Sequence, residues 1–157
     1  MELSTDLRSR QEVRDLVEKA DKAYKILKKM SQSQIDAIVK AIAEAGEKHA
    51  FTLGKMAAEE TGFGNPEDKA KKNVFASRHV YEAIKNMKTI GILRKDAEER
   101  IWDVGVPVGV IAGIVPSTNP TSTVCYKSLI ALKSGNTIVF SPHPKAIACT
   151  LRAAEIV

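Results

Sequence analysis

The chain has 157 residues, of which 44% are hydrophobic and 27% charged, a balance typical of one soluble globular domain. It has no apolar run of membrane-spanning length and a polar start from Met1 to Arg14, so we expect a cytoplasmic protein that contacts no membrane. The net charge of +5 permits an anionic partner, but lysines alternate with acids in segments such as Glu67-Asp68-Lys69. Such segments are typical of solvated helix faces, and with only 5% aromatic residues we expect no nucleic-acid binding.

The first hundred residues have the apolar periodicity of helices. Ser9 and Glu12 have capping-box spacing, so the first helix is predicted to begin at Ser9. Its inner stripe is predicted to contain Val13, Leu16, Val17, Ala20, Tyr24, Leu27 and Met30.

The second helix is predicted to begin at a further capping box, formed by Ser31 and Gln34. It is predicted to extend as far as Glu60, with Gly46 as its weak point. Its inward residues are predicted to be Ile35, Ile38, Val39, Ile42 and Ala45. The segment Thr61–Gly64 should end it, because glycine tolerates the left-handed backbone of a helix stop.

A third helix is predicted to follow that stop. Asn65 is its expected N-cap, Pro66 suits its first position, and Glu67 and Asp68 favour its positive end. Its inner stripe is predicted to contain Ala70, Val74, Ser77, Tyr81 and Ile84. The helical pattern fades near Thr89–Gly91.

From residue 101 onward the pattern alternates between strands and helices. Strands are predicted at Ile101–Val104, Val108–Val115 and Thr137–Phe140, and helices at Thr121–Lys133 and Pro144–Val157. The apolar run Val108–Val115 is typical of a parallel strand that is covered on both faces. The last two strands and the helix between them form a βαβ unit, whose crossover should be right-handed. Two parallel strands do not make a stable sheet, so we expect the chain to be part of something larger.

Two loops follow the predicted parallel strands and are candidate binding segments. They are Pro116–Pro120 and Ser141–Pro144. Ligands of open α/β sheets bind beyond the carboxyl ends of the strands, and each loop leads into a helix N-terminus whose free amides attract anions. The same composition fits loops that only form turns and caps, and the spacing leaves both interpretations open. No glycine-rich phosphate motif and no cluster of metal ligands accompanies these loops in the sequence.

Three further residues have side chains capable of chemistry. Cys125 and Cys149 have the spacing of neither a disulfide framework nor a metal site. Cys125 lies in an apolar helical segment with no base nearby in the sequence, so we interpret it as a small core residue rather than a nucleophile. Lys127 in the same helix is either a solvated surface lysine or a site residue.

Two segments carry a resemblance to a known family. They are Val106–Val124, with the sequence VPVGVIAGIVPSTNPTSTV, and Ser134–Ala146, with the sequence SGNTIVFSPHPKA. Both resemble the coenzyme A-acylating branch of the aldehyde dehydrogenases, and Glu59–Gly62 is similar to that family as well. The resemblance implies an α/β protein of helices followed by the first, incomplete part of a Rossmann-like domain. Residues 1–157 would form the N-terminal part of an NAD(P)-binding domain, with a helical lead to residue 100 and the start of the βαβ unit from residue 101.

The resemblance also implies a reaction in two stages. In this family a cysteine thiolate attacks a small aldehyde, hydride passes to NAD or NADP, and coenzyme A takes the acyl group from the resulting thioester. The family's nucleophile aligns with neither Cys125 nor Cys149, so we expect the 157-residue chain alone to be inactive. A full-length enzyme of this kind is expected to be a homo-oligomer in the cytoplasm or in a bacterial microcompartment. The alternative is a non-catalytic helical binding or assembly module derived from that family.

The resemblance assigns roles to the two loops. Pro116 and Pro120 match the two prolines of the family's PWNFP motif, and Pro116 and Ser117 are candidate cofactor contacts. Thr118 stands where the general family has its oxyanion asparagine and Asn119 follows one place later, so either could donate to the oxyanion.

Further positions follow from the same resemblance. Lys127 matches a lysine of the family and is a candidate supporting residue. Ser141 stands where many relatives have a lysine that contacts the adenosine ribose. We therefore expect Ser141, Pro142, His143 and Pro144 to lie near the adenosine of NAD(P) or coenzyme A.

Overall fold

The structure is a computed structural model that describes residues 4–157, and it has the predicted α/β class. Its helices are α1 (Thr5–Leu27), α2 (Gln32–Lys48), α3 (Ala50–Thr61), α4 (Pro66–Val74), α5 (Val80–Ile84), α6 (Pro120–Lys133) and α7 (Ile147–Ile156), with a π-helical turn at Phe75–His79 between α4 and α5. Its strands are β1 (Gly91–Asp96), β2 (Ile101–Gly105), β3 (Val110–Val115) and β4 (Thr137–Pro142).

The predicted βαβ unit is confirmed. Strands β3 and β4 are parallel neighbours, with Val110 opposite Thr137 and Val115 opposite Pro142, and α6 connects them. The carboxyl ends of both strands therefore lie at the same edge of the sheet.

The hairpin of β1 and β2 differs from the prediction, which made the first hundred residues helical and recognised only the second of these strands. The two strands are antiparallel, with Gly91 opposite Gly105 and Asp96 opposite Ile101. Cross-strand contacts hold the hairpin, since Arg94 Nε lies 2.7 Å from a carboxylate oxygen of Asp103. Strand β1 is stabilised by its hydrogen bonds and side-chain contacts with β2. Its own six residues therefore show little of the pattern that predicts a strand.

Two of the predicted helix starts are confirmed and two others differ from the prediction. The Ser31 hydroxyl accepts from the Gln34 amide, and the Gln34 side chain accepts in return from the Ser31 amide. Asn65 caps α4 by accepting from the amide of Asp68. Helix α1, however, begins at Thr5 rather than at Ser9, which lies inside the helix and forms no cap. The last helix begins at Ile147, three residues later than predicted.

The predicted long second helix is two helices, which meet at His49 rather than at Gly46. Gly46 lies in regular helix and is buried. A β-carbon at this position would lie only 2.9 Å from Cβ of Ser77 in the π-helical turn. Gly46 therefore allows α2 to approach the π-helical turn closely. The predicted stop is confirmed, since α3 ends at Thr61 and Gly62 adopts a left-handed backbone with φ 70°.

Helix α6 lies at the centre of the packing. One core cluster joins it to α1 and α2 and contains Leu27, Ile35, Val39, Ile42, Ala43 and Leu129. A second joins it to α3, β3 and α7 and contains Leu53, Val115, Val124 and Ala153. The start of the predicted α1 stripe does not belong to either cluster, because Val13, Leu16 and Val17 are exposed.

The expectation that Val108–Val115 is covered on both faces is met only in part among residues 4–157. Val108 and Ile114 are 84% and 66% exposed. Helix α6 packs on β3 and α1 also contacts β3 and β4, while Ala112 and Ile114 remain exposed within the described part of the chain. No helix in that part is both long and apolar enough to cross a bilayer.

Candidate functional site

The two candidate loops lie side by side at the carboxyl edge of the sheet, as predicted. The loop Pro116–Pro120 leaves β3, and the loop Ser141–Pro144 spans the end of β4 and the following residues. The backbone amide of His143 donates to the carbonyl of Val115 over 3.0 Å, which joins the end of β3 to the second loop.

Two lysines of α4 hold the first loop from the side. Lys69 Nζ donates to the carbonyl oxygen of Thr118 over 2.8 Å, and Lys72 Nζ donates to Oδ1 of Asn119 over 3.1 Å. Lys69 is only 5% exposed, which corrects the expectation that it belongs to a solvated helix face. Burial lowers the pKa of Lys69, and the nearby charge of Lys72 lowers it further.

Hydrogen bonds between buried side chains fix the base of the same loop. Thr121 Oγ1 donates to Oδ1 of Asn73 over 2.9 Å, and Asn73 Nδ2 donates to the carbonyl of Ala50 over 2.9 Å. Thr123 Oγ1 in turn donates to the carbonyl of Asn119 over 2.7 Å. The loop is therefore tied to α3, α4 and α6, which makes its geometry rigid.

Lys69, Lys72 and Asn73 are the site residues that the sequence pattern missed. Their spacing of three and four residues places them on one face of α4. This shared face is the only feature of the sequence that could have indicated that the three residues act together. The partners of that face lie 47 to 49 residues away in sequence, so the pattern alone could not distinguish it from a solvated face.

Asn119 borders two cavities that meet at the loop. A cavity of about 520 Å³ lies between the α4–α5 segment and α6, and it is lined by Lys72, Phe75, Ala76, Val80, Pro116, Asn119, Ser122, Thr123 and Tyr126. A second cavity of about 510 Å³ is lined by Phe63, Gly64, Asp68, Lys69, Lys71, Lys72, Thr118 and Asn119. Thr118 lines only the second, lysine-rich cavity.

The structure does not bring Lys127 together with Asn119. Lys127 Nζ donates to the carbonyl oxygen of Ile114 over 2.7 Å. It lines a third cavity, of about 380 Å³, together with β3 residues such as Ala112 and Gly113. Successive carbonyls of a strand point to opposite edges of the sheet. The carbonyl of Val115 points toward β4, where it accepts from His143. The carbonyl of Ile114 therefore points to the free edge of β3, and Lys127 contacts that edge.

The second loop offers small polar groups but no free helix amides. Ser141 and Pro142 line a cavity of about 500 Å³ against α1. Nδ1 of His143 accepts from the amide of Lys145 over 3.1 Å, and His143 and Pro144 are exposed.

The first amides of α7 are already occupied, which corrects the expectation of an anion site there. Glu60 accepts from the amides of Ala148 and Cys149 over 2.8 and 2.7 Å. Burial raises the pKa of Glu60, but its hydrogen bonds with Cys149 and Ala148 outweigh burial, so the pKa lies below its usual range. Glu60 itself therefore supplies the negative charge at this helix N-terminus.

Neither cysteine has the properties of a nucleophile. Burial raises the pKa of the Cys125 thiol to about 12. Burial, followed by the neighbouring Glu60, raises the pKa of the Cys149 thiol to about 12 as well. Both groups therefore remain neutral thiols near neutral pH. No group of three or more potential metal ligands occurs among residues 4–157.

Comparisons with known proteins agree on one family. Residues 3–157 match the aldehyde dehydrogenase family. The chain is 47% identical over 146 residues to the bifunctional aldehyde-alcohol dehydrogenase AdhE of Escherichia coli K12, covering 93% of this chain and 16% of that protein. It is 38% identical over 144 residues to a succinate-semialdehyde dehydrogenase (acetylating) of Clostridium kluyveri, covering 92% of this chain and 32% of that protein.

Solved structures show the same similarity. A probable aldehyde dehydrogenase from Listeria monocytogenes EGD-e superposes with a TM-score of 0.96 at 60% identity, covering 98% of this chain and 34% of that one. An acetylating aldehyde dehydrogenase from Geobacillus thermoglucosidasius superposes with a TM-score of 0.94 at 58% identity, covering 96% and 33%. The chain thus spans about a third of the length of these structures.

More distant structures carry ligands or come from a known compartment. A propionaldehyde dehydrogenase of Rhodopseudomonas palustris holds CoA and an acylated cysteine (32% identity, TM-score 0.73, covering 91% of this chain and 32% of that one). An engineered glycolyl-CoA reductase holds NADP⁺ (31% identity, TM-score 0.73, 91% and 32%). A propionaldehyde dehydrogenase variant comes from a bacterial microcompartment of Clostridium phytofermentans (35% identity, TM-score 0.72, 89% and 32%).

Proposed function

The chain belongs to the aldehyde dehydrogenase family, and from that premise we propose that it forms the N-terminal part of the NAD(P)-binding domain of a CoA-acylating aldehyde dehydrogenase. In the proposed reaction a cysteine thiolate adds to the aldehyde carbon and the aldehyde hydrogen leaves as hydride to NAD(P)⁺, which gives a thioester. The acyl group then passes to the sulfur of coenzyme A, and the cysteine thiolate is released. Cys125 and Cys149 are fully buried and burial raises the pKa of both thiols, so we propose that the nucleophile is a different cysteine and that residues 1–157 alone have no activity.

The Asn119 carboxamide is the observation that carries this proposal. Thiolate addition places a negative charge on the aldehyde oxygen, and a fixed N–H donor lowers the energy of that charge. Among the described residues, Nδ2 of Asn119 has no hydrogen-bond acceptor, and Asn119 lines the 520 Å³ cavity. Thr118 does not line it, and its carbonyl oxygen is held by Lys69. We therefore assign the oxyanion contact to Asn119 rather than to Thr118.

The 520 Å³ cavity is the proposed place of the aldehyde's carbon chain. Phe75, Ala76, Val80 and Tyr126 give it a largely apolar wall, whereas Asn119 and Lys72 supply polar groups at one end. This division suits a small molecule with an apolar tail and one polar carbonyl group. The apolar walls would bind the tail, and the few polar groups would orient the carbonyl.

The remaining site residues receive supporting roles. Lys127 holds the carbonyl of Ile114, two residues before Pro116, and so steadies the start of the loop that contains Ser117 and Asn119.

The second loop is the proposed contact for the adenosine part of NAD(P) or coenzyme A. Ser141, Pro142, His143 and Pro144 present a hydroxyl and an imidazole, which fit the hydroxyl groups of a ribose. Slower backbone hydrogen exchange in this loop when the full enzyme binds NAD⁺ would support that role, and unchanged exchange would count against it.

The relatives also support the wider setting of the proposal. We propose a homo-oligomeric full-length enzyme that acts on a small aldehyde with coenzyme A, in the cytoplasm or in a microcompartment such as that of one similar protein. The structure supplies one observation for the alternative of an assembly module, namely the exposed Val106, Val108 and Ile114 beside the free edge of β3. Self-association of an inactive native protein would favour that alternative.

The oxyanion assignment is tested in the complete gene product that contains this sequence. Asn119→Ala should lower kcat by about 10²- to 10³-fold, the usual effect of removing one oxyanion donor. Thr118→Val, the matched control, should change kcat by less than about threefold, since the structure gives its hydroxyl no place in the cavity. A larger loss for Thr118→Val than for Asn119→Ala would reverse the assignment.

A further inference from the structure

The orientation of the Asn119 carboxamide has a specific cause in α4. A carboxamide has an acceptor end, Oδ1, and a donor end, Nδ2, whereas a lysine ammonium is only a donor. The 3.1 Å contact with Lys72 Nζ therefore requires Oδ1 to face the lysine, which leaves Nδ2 on the other side of the group. The opposite orientation would place two donors, Nδ2 and the ammonium, against each other.

The Asn119 side chain contacts Lys72 instead of an amide of the helix that it precedes. It occupies the N-cap position of α6, where an asparagine side chain commonly accepts from an amide of the first helical turn. Here the side chain forms no such cap. The carboxamide is instead held by Lys72.

Lys72 reaches Asn119 from a part of α4 that is itself fixed. Its neighbour Asn73 is buried and bonded to Ala50 and Thr121, and Lys69, one turn earlier, is bonded to Thr118. The ammonium is exposed but approaches from a fixed helix, and its contact with Oδ1 favours one orientation of the carboxamide.

We propose that Lys72 is a positioning residue of the reaction: it holds Oδ1 of Asn119 so that Nδ2 donates to the oxyanion. This inference rests on the proposed function. A positive group on Oδ1 also draws electrons from the carboxamide, which makes Nδ2–H a stronger donor. Lys72 acts through Asn119 and does not itself contact the reacting carbon.

A double-mutant cycle in the complete gene product tests the proposal. Lys72→Met, which keeps the side chain's length but removes its charge, should lower kcat by about tenfold with little change in KM. In the Asn119→Ala background the same substitution should change kcat by less than about twofold, because the group that Lys72 orients is gone. Lys72→Arg, which retains a donor, should recover part of the activity.

The matched control is Lys71→Met, which removes the same charge one residue away. Lys71 is exposed, pairs with Asp68 and forms no hydrogen bond with the loop, so its loss should leave kcat unchanged. An unchanged kcat for Lys72→Met, or a tenfold loss in both backgrounds, would overturn the positioning role. Wild-type protein without CoA-dependent aldehyde oxidation would instead overturn the proposed function.

A second measurement examines the orientation without catalysis. In protein labelled with ¹⁵N-asparagine, Lys72→Met should shift the side-chain NH₂ resonances of Asn119, while Lys71→Met should not. If neither substitution moves those resonances, Lys72 does not hold the carboxamide and the inference is wrong.

Discussion

Replacing Asn73 with alanine tests whether the buried bonds beneath the loop stabilise the fold. Asn73 is 1% exposed, and it links α3 to α6 by donating to Ala50 and accepting from Thr121. Among the described residues, every buried polar side-chain atom has a hydrogen-bond partner, so the wild-type network is complete. The substitution leaves the Thr121 hydroxyl without its acceptor and the Ala50 carbonyl without this donor.

The expected loss follows from those two contacts. A buried group that loses its partner costs about 1–3 kcal/mol, so Asn73→Ala should lower the free energy of unfolding by about 3 kcal/mol. Thr121→Val removes the other side of one bond, and the double variant should lose about 1 kcal/mol less than the sum of the two single variants. Urea unfolding followed by circular dichroism measures all three differences on the same chain.

The result that refutes this account is simple to recognise. If Asn73→Ala changes the free energy of unfolding by less than about 0.5 kcal/mol, the network adds nothing beyond an ordinary surface contact. Strict additivity of the two substitutions would show that Asn73 and Thr121 do not interact in solution.

Two further predictions concern Glu60 and the cysteines. Because hydrogen bonding holds the pKa of Glu60 below its usual range, its stabilising contribution is present at neutral pH and is lost in acid as the pH falls through that lowered pKa. Glu60→Gln should therefore be less stable than wild type at pH 7, with the difference between their urea midpoints closing in acid, and a difference that is constant with pH would contradict this. Burial raises the pKa of both cysteine thiols to about 12, so native protein at pH 8 should resist iodoacetamide at Cys125 and Cys149 until urea is added. Rapid labelling of either residue in the native state would show that it is accessible as a thiolate.

Helix caps and strand ends, which depend on residues close in sequence, could be predicted from the sequence. The Ser31 capping box and the Asn65 cap depend on residues within one turn, and both form as predicted. The spacing of Ser9 and Glu12 is the same kind of signal, but helix α1 already begins at Thr5, so Ser9 has no free helix end to cap. The βαβ unit was also predictable, because each apolar strand run is bounded by glycine or proline.

Features that depend on distant partners could not be predicted in this way. Strand β1 is defined by its pairing with β2, and its own residues are mostly exposed. Lys69 looks like a solvated lysine in sequence, yet it is buried because Thr118, 49 residues later, accepts from it. The proposed choice of Asn119 over Thr118 as the oxyanion donor likewise depends on the cavities and on the position of Lys72. Neither can be predicted from the spacing of residues in the loop.

The most direct test of the proposed function is to identify the product that the native protein carrying this sequence forms from a small aldehyde, NAD⁺ and coenzyme A. Mass spectrometry of the reaction should find the acyl-CoA, formed in step with NADH and abolished when coenzyme A is left out. A free carboxylate formed equally well without coenzyme A, or no oxidation of any aldehyde, would contradict the assignment to the acylating branch.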